Sequence, residues 1–174
     1  MNKLPVVIAL TIVSCASIFA AAENVEKQLA ANYSAMGTAF KKKDIEAYGK
    51  FYLPTFVGKD LQGHDIPLKI ALNSLKQQMV TATEVVWSRT IKKCKVTGNE
   101  ATVTIDGVFK GSVPFPDGKR HKVEAYTTAE NVWAKVGKTW LLKSAKPISN
   151  RLLENGKPMK VGRPTVTHPV KAGN

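Results

Sequence analysis

The spacing of apolar residues changes once along this chain, from a helical period to a strand period. Val25, Leu29, Tyr33, Met36 and Phe40 recur on one face of a helix predicted over Glu23–Phe40. Glu23 and Glu26 at its start and Lys41–Lys43 at its end suit the helix dipole. Asp44 then caps a short second helix with Ile45, Tyr48 and Tyr52 on its buried side, and Pro54 ends it. Thr55–Lys59 predicts a strand. Asp60-Leu61-Gln62-Gly63 predicts a tight turn, with the glycine supplying positive φ. A third helix, Asp65–Thr81, carries Pro67 in its first turn and a stripe of Leu68, Leu72, Leu75 and Met79.

From Glu84 onward the period is two. Strands are predicted at Glu84–Val96, Glu100–Lys110, Arg120–Val136 and Lys138–Pro147, with turns at Thr97-Gly98-Asn99, Pro114–Gly118 and Gly137-Lys138. Helices first and hairpin-linked strands after is an α+β pattern, with three N-terminal helices packed on a mainly antiparallel sheet. Within Lys122–Lys135, the side bearing Val123, Ala125, Thr127, Ala129, Asn131 and Trp133 makes the better inner face. Trp140, Leu142, Ser144 and Lys146 are expected to point the same way, over a floor of Ala101, Val103, Ile105 and Phe109. Small residues on a concave face leave volume for a ligand cavity. Beyond Ser149 the composition shifts to Asn, Gly, Pro and Lys. Residues Asn150–Asn174 read as a flexible basic tail, within which Asn155-Gly156 could turn a small hairpin.

The N-terminal stretch changes the setting. Lys3, the apolar run Leu4–Val13 and the small residues Ala20–Ala22 form a signal peptide over 1–22, which leaves a domain over 23–149 and an exported product, periplasmic or secreted. Ile12-Val13-Ser14-Cys15 offers a competing cut, with a lipid anchor on Cys15. Either way Cys94 has no intramolecular disulfide partner and reads as a small packed residue. Loss of Lys3 with the leader takes the formal net charge from +13 to +12. Such a charge favours anionic surfaces, membrane or glycan, but the basic residues are dispersed and carry no nucleic-acid motif.

Other chemistry is sparse. Gly137-Lys138-Thr139 ends like a phosphate loop but lacks the earlier glycine and joins two strands. There is no serine nucleophile elbow. His64, His121 and His168 are too scattered for a metal, and no cofactor is implied.

The cap Asp44-Ile45-Glu46-Ala47, Tyr52, Asp60-Leu61-Gln62-Gly63 and Val132-Trp133 with Trp140-Leu141-Leu142 together resemble the nuclear transport factor 2-like superfamily, which includes ketosteroid isomerases and SnoaL-like cyclases. The resemblance spans Val25–Pro147. It implies a conical fold with a strongly curved sheet, a cavity between helices and sheet, and often a homodimer through the sheet. It places Asp60 where the isomerases hold their proton-abstracting base, and Asn131 near their oxyanion-stabilising acid. The family's oxyanion tyrosine is replaced by Met36, with Tyr33 nearly a turn earlier. Candidate ligand-binding residues are Met36, Tyr52, Phe56, Trp87, Thr127, Trp133 and Lys146. Asp60 also has a purely structural reading, as the turn-forming residue of D-x-x-G. Two functions follow: an accessory domain binding a small apolar or anionic ligand without catalysis, or an isomerase, dehydratase or cyclase with Asp60 as base. A third is a binder of anionic envelope polymers.

Overall fold

The computed structural model describes residues 15–159, with side chains from residue 22 onward. Most of the expected leader, 1–22, therefore lies outside the described residues. Helix α1 (Cys15–Lys41) is continuous, so Glu23 and Glu26 stand within it and do not open it. Glu23 instead pairs with Lys27 one turn on, at 2.7 Å. The predicted apolar face holds: Leu29, Tyr33, Met36 and Phe40 are buried, and Val25 packs against them.

Asp44 caps α2 (Ile45–Gly49) as expected, its carboxylate accepting from the Ala47 amide at 2.8 Å. The helix stops earlier than predicted, because Tyr52 opens strand β1 (Tyr52–Lys59) opposite Leu142. The Leu142 amide donates to the Phe51 carbonyl at 2.7 Å. A distant strand thus outweighs local helical spacing, a common tertiary override. Asp65–Pro67 forms a short strand β2 antiparallel to β1, and Pro67, extended at ψ 152°, stands at the N-cap of α3 (Leu68–Thr81). Only Met79 of the α3 stripe is fully buried; Leu68 and Leu75 pack on the core from its rim.

The rest is an antiparallel meander of β3 (Thr83–Thr97), β4 (Glu100–Pro114), β5 (Arg120–Val136) and β6 (Thr139–Glu154), closed by β7 (Lys157–Pro158). The strands form one open, mixed sheet in the order β2-β1-β6-β5-β4-β3, with β7 also on β6; β1 and β6 run parallel. The α+β class stands, and α3 follows β1 and β2, so the helices are not all N-terminal to the sheet. Of the tail expected over Asn150–Asn174, the first residues continue β6 to Glu154, and residues 160–174 lie outside the described residues. Asn155 and Gly156, at φ 49° and 79°, then turn the chain into β7, as an Asn-Gly hairpin with two left-handed residues does. Among the described residues no helix is long and apolar enough to cross a membrane.

Two irregularities in β6 decide what faces the core. Trp133 pairs with Leu142 but Val132 with Ser144, so Lys143 is an extra residue. A second, Ile148, intervenes between the Ala129–Pro147 and Thr128–Ser149 pairs. Each bulge switches the side that later residues face. Trp140 and Leu142 point inward as predicted, but after Lys143 the inward residues are Ala145 and Pro147. Ser144 and Lys146 point away.

Candidate functional site

The helices and the inner sheet face enclose a cavity of about 270 Å³. Its helical wall is Tyr33 and Met36 of α1, Tyr48 of α2 and Ala71 of α3; its floor is Ile105, Thr127, Ala129 and Asn131; Leu142, Ala145 and Pro147 close the β6 side. Tyr52, Phe56, Lys59 and Ile66 line the β1–β2 side, and Trp87 and Arg89 the β3 side. The aromatic rings interlock. Tyr52 meets Phe56 edge-on at 4.8 Å between centroids, and Trp87 stacks on Phe40 at 6.4 Å. Such rings supply large apolar area with few rotatable bonds.

Five of the seven expected ligand-binding residues line this cavity: Met36, Tyr52, Phe56, Trp87 and Thr127. Trp133 lies behind it, 0% exposed. Lys146 is on the opposite face, paired across from Glu130, because of the bulge at Lys143.

Of Asp60 and Asn131, expected to act together, only Asn131 lines the cavity. Asn131 is on the cavity floor, 5% exposed. Asp60 is in the turn between β1 and β2, where Oδ1 accepts from the amides of Gln62 (2.9 Å) and His64 (2.8 Å), and Oδ2 meets His64 Nδ1 at 2.8 Å. The His64 side chain is 76% exposed. The hydrogen bonds from His64 hold the Asp60 carboxyl below its ordinary pKa. A base for carbon acids needs the opposite shift and a place beside the substrate. Asp60 is a turn residue, and Gly63, at φ 89°, completes the turn.

Tyr33 reaches the cavity as well. Although it precedes Met36 by three residues, i,i+3 positions share a helix face, and both reach the cavity. The Tyr33 hydroxyl accepts from Asn131 Nδ2 at 2.8 Å and from Trp133 Nε1 at 2.9 Å. Burial pushes its pKa up to about 12, so it is a neutral phenol with its own proton left to donate. Asn131 Oδ1, in contrast, is buried without a hydrogen-bond partner.

Arg89 was not anticipated from sequence. It follows Trp87 by two residues and so shares its inner face on β3, but an arginine in an alternating strand reads as outward-facing. Gly107 opposite makes the inward position possible: a Cβ there would lie 2.6 Å from Arg89 Nη1. The guanidinium sits 4.5 Å from the Trp87 ring centroid and donates to the Ser88 carbonyl at 3.1 Å. No carboxylate pairs with it among the described residues. Burial lowers its pKa, yet a guanidinium keeps its proton in proteins. The cavity's other cation, Lys59, is bound to Asp65 at 2.5 Å.

Among the described residues no carboxylate, histidine or thiol lines the cavity, and no group of His, Cys, Asp and Glu could hold a metal. Cys94 packs beside α1, where burial raises its thiol pKa.

No family model matches the chain, and no curated protein matches it by sequence. Solved structures do share its fold. A conserved protein from Planctomyces limnophilus superposes with a TM-score of 0.63 at 14% identity, over 72% of this chain and 99% of the other. A protein provisionally named a dehydratase of the NTF2-like family, from Streptomyces avermitilis, gives 0.59 at 19% identity, over 73% and 99%. A hexachlorocyclohexane dehydrochlorinase gives 0.59 at 11% identity, over 83% and 97%.

Proposed function

We propose, from the nuclear transport factor 2-like fold that this chain has, that it is an exported, non-catalytic domain that binds a small ligand between its helices and curved sheet. The cavity itself carries the reading: aromatic and aliphatic walls with a few convergent polar groups, Tyr33, Asn131, Thr127 and Arg89, are the makings of a small-molecule site. At about 270 Å³ it sits just under the range for drug-sized ligands, so the occupant is small.

Proton abstraction next to a carbonyl is the second reading, and the Tyr33–Asn131 pair favours it, since a phenol proton and an amide could face an enolate oxygen. What counts against it is the lining, which offers no carboxylate or histidine as base, while Asp60 is engaged in its turn. The dispersed +12 surface supports attraction to anionic membranes or glycans as an accessory property, which would weaken steeply with salt. Pairing of two copies through the outer sheet face, around Tyr126 and Val132, is a further proposal that sedimentation of the mature protein would check.

Melting shifts with steroid-like and aromatic compounds test the main reading. Ligands that fit are expected to raise the midpoint and quench the emission of Trp87. Shifts that persist after Ala129→Phe, which fills the floor, would place binding elsewhere.

A further inference from the structure

The geometry points to a ligand that is a small aromatic carboxylate carrying a hydroxyl or N–H, its acid held by Arg89 and its donor group by Asn131. The inference rests on the cavity being the binding site, and it names what that site selects. Two observations made on different strands carry it.

The first is the charge on β3. An arginine turned into a cavity wall, with no acid beside it among the described residues, gives one Nη1–H to the Ser88 carbonyl and leaves the rest of its planar fork for a carboxylate. Its surroundings are phenols and an indole, not counter-ions: Tyr33, Tyr48 and Tyr52 are the titratable groups that act on it. Gly107 is the cost in packing of keeping it there. An unpaired, partly buried charge is destabilising, so its presence makes sense if a ligand supplies the anion.

The second is the orphan acceptor on β5. Asn131 Oδ1 is buried and unpartnered, while the amide's Nδ2 gives one of its two protons to Tyr33. A buried acceptor without a donor is costly, and a ligand O–H or N–H would satisfy it. The aromatic walls of the same cavity, Tyr48, Tyr52 and Phe56, suit a flat ring better than a flexible chain.

The test compares p-hydroxycinnamate, cinnamate and methyl p-hydroxycinnamate on the mature protein by calorimetry and tryptophan fluorescence. The acid is expected to bind at least tenfold more tightly than its methyl ester, because the charge-assisted pair is lost in the ester. Arg89→Gln should erase that difference, and Arg89→Lys should keep part of it. Asn131→Leu should erase the preference for p-hydroxycinnamate over cinnamate while the preference of acid over ester survives. Without ligand, Arg89→Gln is expected to melt no lower than the wild type, a readout that a merely structural arginine would fail. If ester and acid bind equally, the inference falls while the binding cavity stands. If none of the three binds at millimolar concentration, both fall.

Discussion

Replacing Tyr33 by Phe removes one oxygen and strands two buried donors. The Tyr33 hydroxyl is the acceptor for both Asn131 Nδ2 (2.8 Å) and Trp133 Nε1 (2.9 Å). Trp133 is 0% exposed, so its indole N–H has no route to water. Asn131 borders the cavity and can recruit a water there, which makes its share smaller. A buried donor left unpaired costs about 1–3 kcal/mol; with one fully and one partly stranded, Tyr33→Phe should destabilise by about 2–4 kcal/mol. The ring itself stays, and its edge-on contact with Trp133, 5.2 Å between centroids, is preserved. For a domain of this size that is roughly 5–15 °C in melting midpoint. Urea unfolding followed by tryptophan emission reads the loss as a lower midpoint at unchanged slope. Asn131→Leu is the control: it removes both the orphan Oδ1 and one donor, and should cost less than about 1.5 kcal/mol. The double variant should lose less than the two singles combined, because Asn131 can be stranded only once. A Tyr33→Phe protein within about 0.5 kcal/mol of the wild type would refute the network as the element fixing α1 to β5.

Other expectations follow from single contacts. Gly37→Ala places a Cβ 2.7 Å from Trp87 Cε3, a rigid ring, so despite better helix propensity it should destabilise by about 1–3 kcal/mol in urea unfolding. His121 lies between Glu154 and Asp117 on a stacked Phe115, and the hydrogen bonds it makes to the Glu154 and Asp117 carboxylates raise its pKa. A raised folded pKa gives stability that is full below the ordinary histidine value, about 6.5, and is lost as pH rises through the folded value. The advantage of wild type over His121→Gln should accordingly be greater at acid than at alkaline pH; a pH-independent gap would be contrary. Asp60→Asn should leave ligand-induced melting shifts intact. It should remove only the turn's support, which exists above the ordinary carboxyl pKa and fades as pH falls through the depressed one. Loss of ligand shifts in a folded Asp60→Asn protein would return Asp60 to the site.

The parts of this fold written in regular periods were legible in the chain. The α1 face, the β5 alternation from Val123 to Trp133 and the floor of β4 came straight from spacing, because each element keeps one phase from end to end. What was hidden depended on phase changes or on partners far away in sequence. Lys146 was misplaced by one inserted residue in β6. Tyr52 looked helical because its strand partner lies ninety positions on, at Leu142. Arg89 could be recognised as inward-facing only once Gly107 was known to be its neighbour. Asp60 shows the converse: a residue type and a turn motif fitted a chemical role, but its hydrogen bonds are all local.

The bulge at Lys143 has a consequence for how such a chain can diverge. Deleting that one residue would remove the bulge and leave the lining unchanged, because Ala145 and Pro147 alternate inward with Leu142 once Lys143 is gone. Flattening the bulge with Lys143 kept in the ladder would instead shift the register by one and carry Ser144 and Lys146 inward in their place, as far as the second bulge at Ile148. The cavity would gain a further cation, and a wall of small apolar residues would become polar. No point substitution rewrites two lining positions at once. In this architecture a slip of strand register, more than an exchange of side chains, is therefore the short route from one ligand chemistry to another.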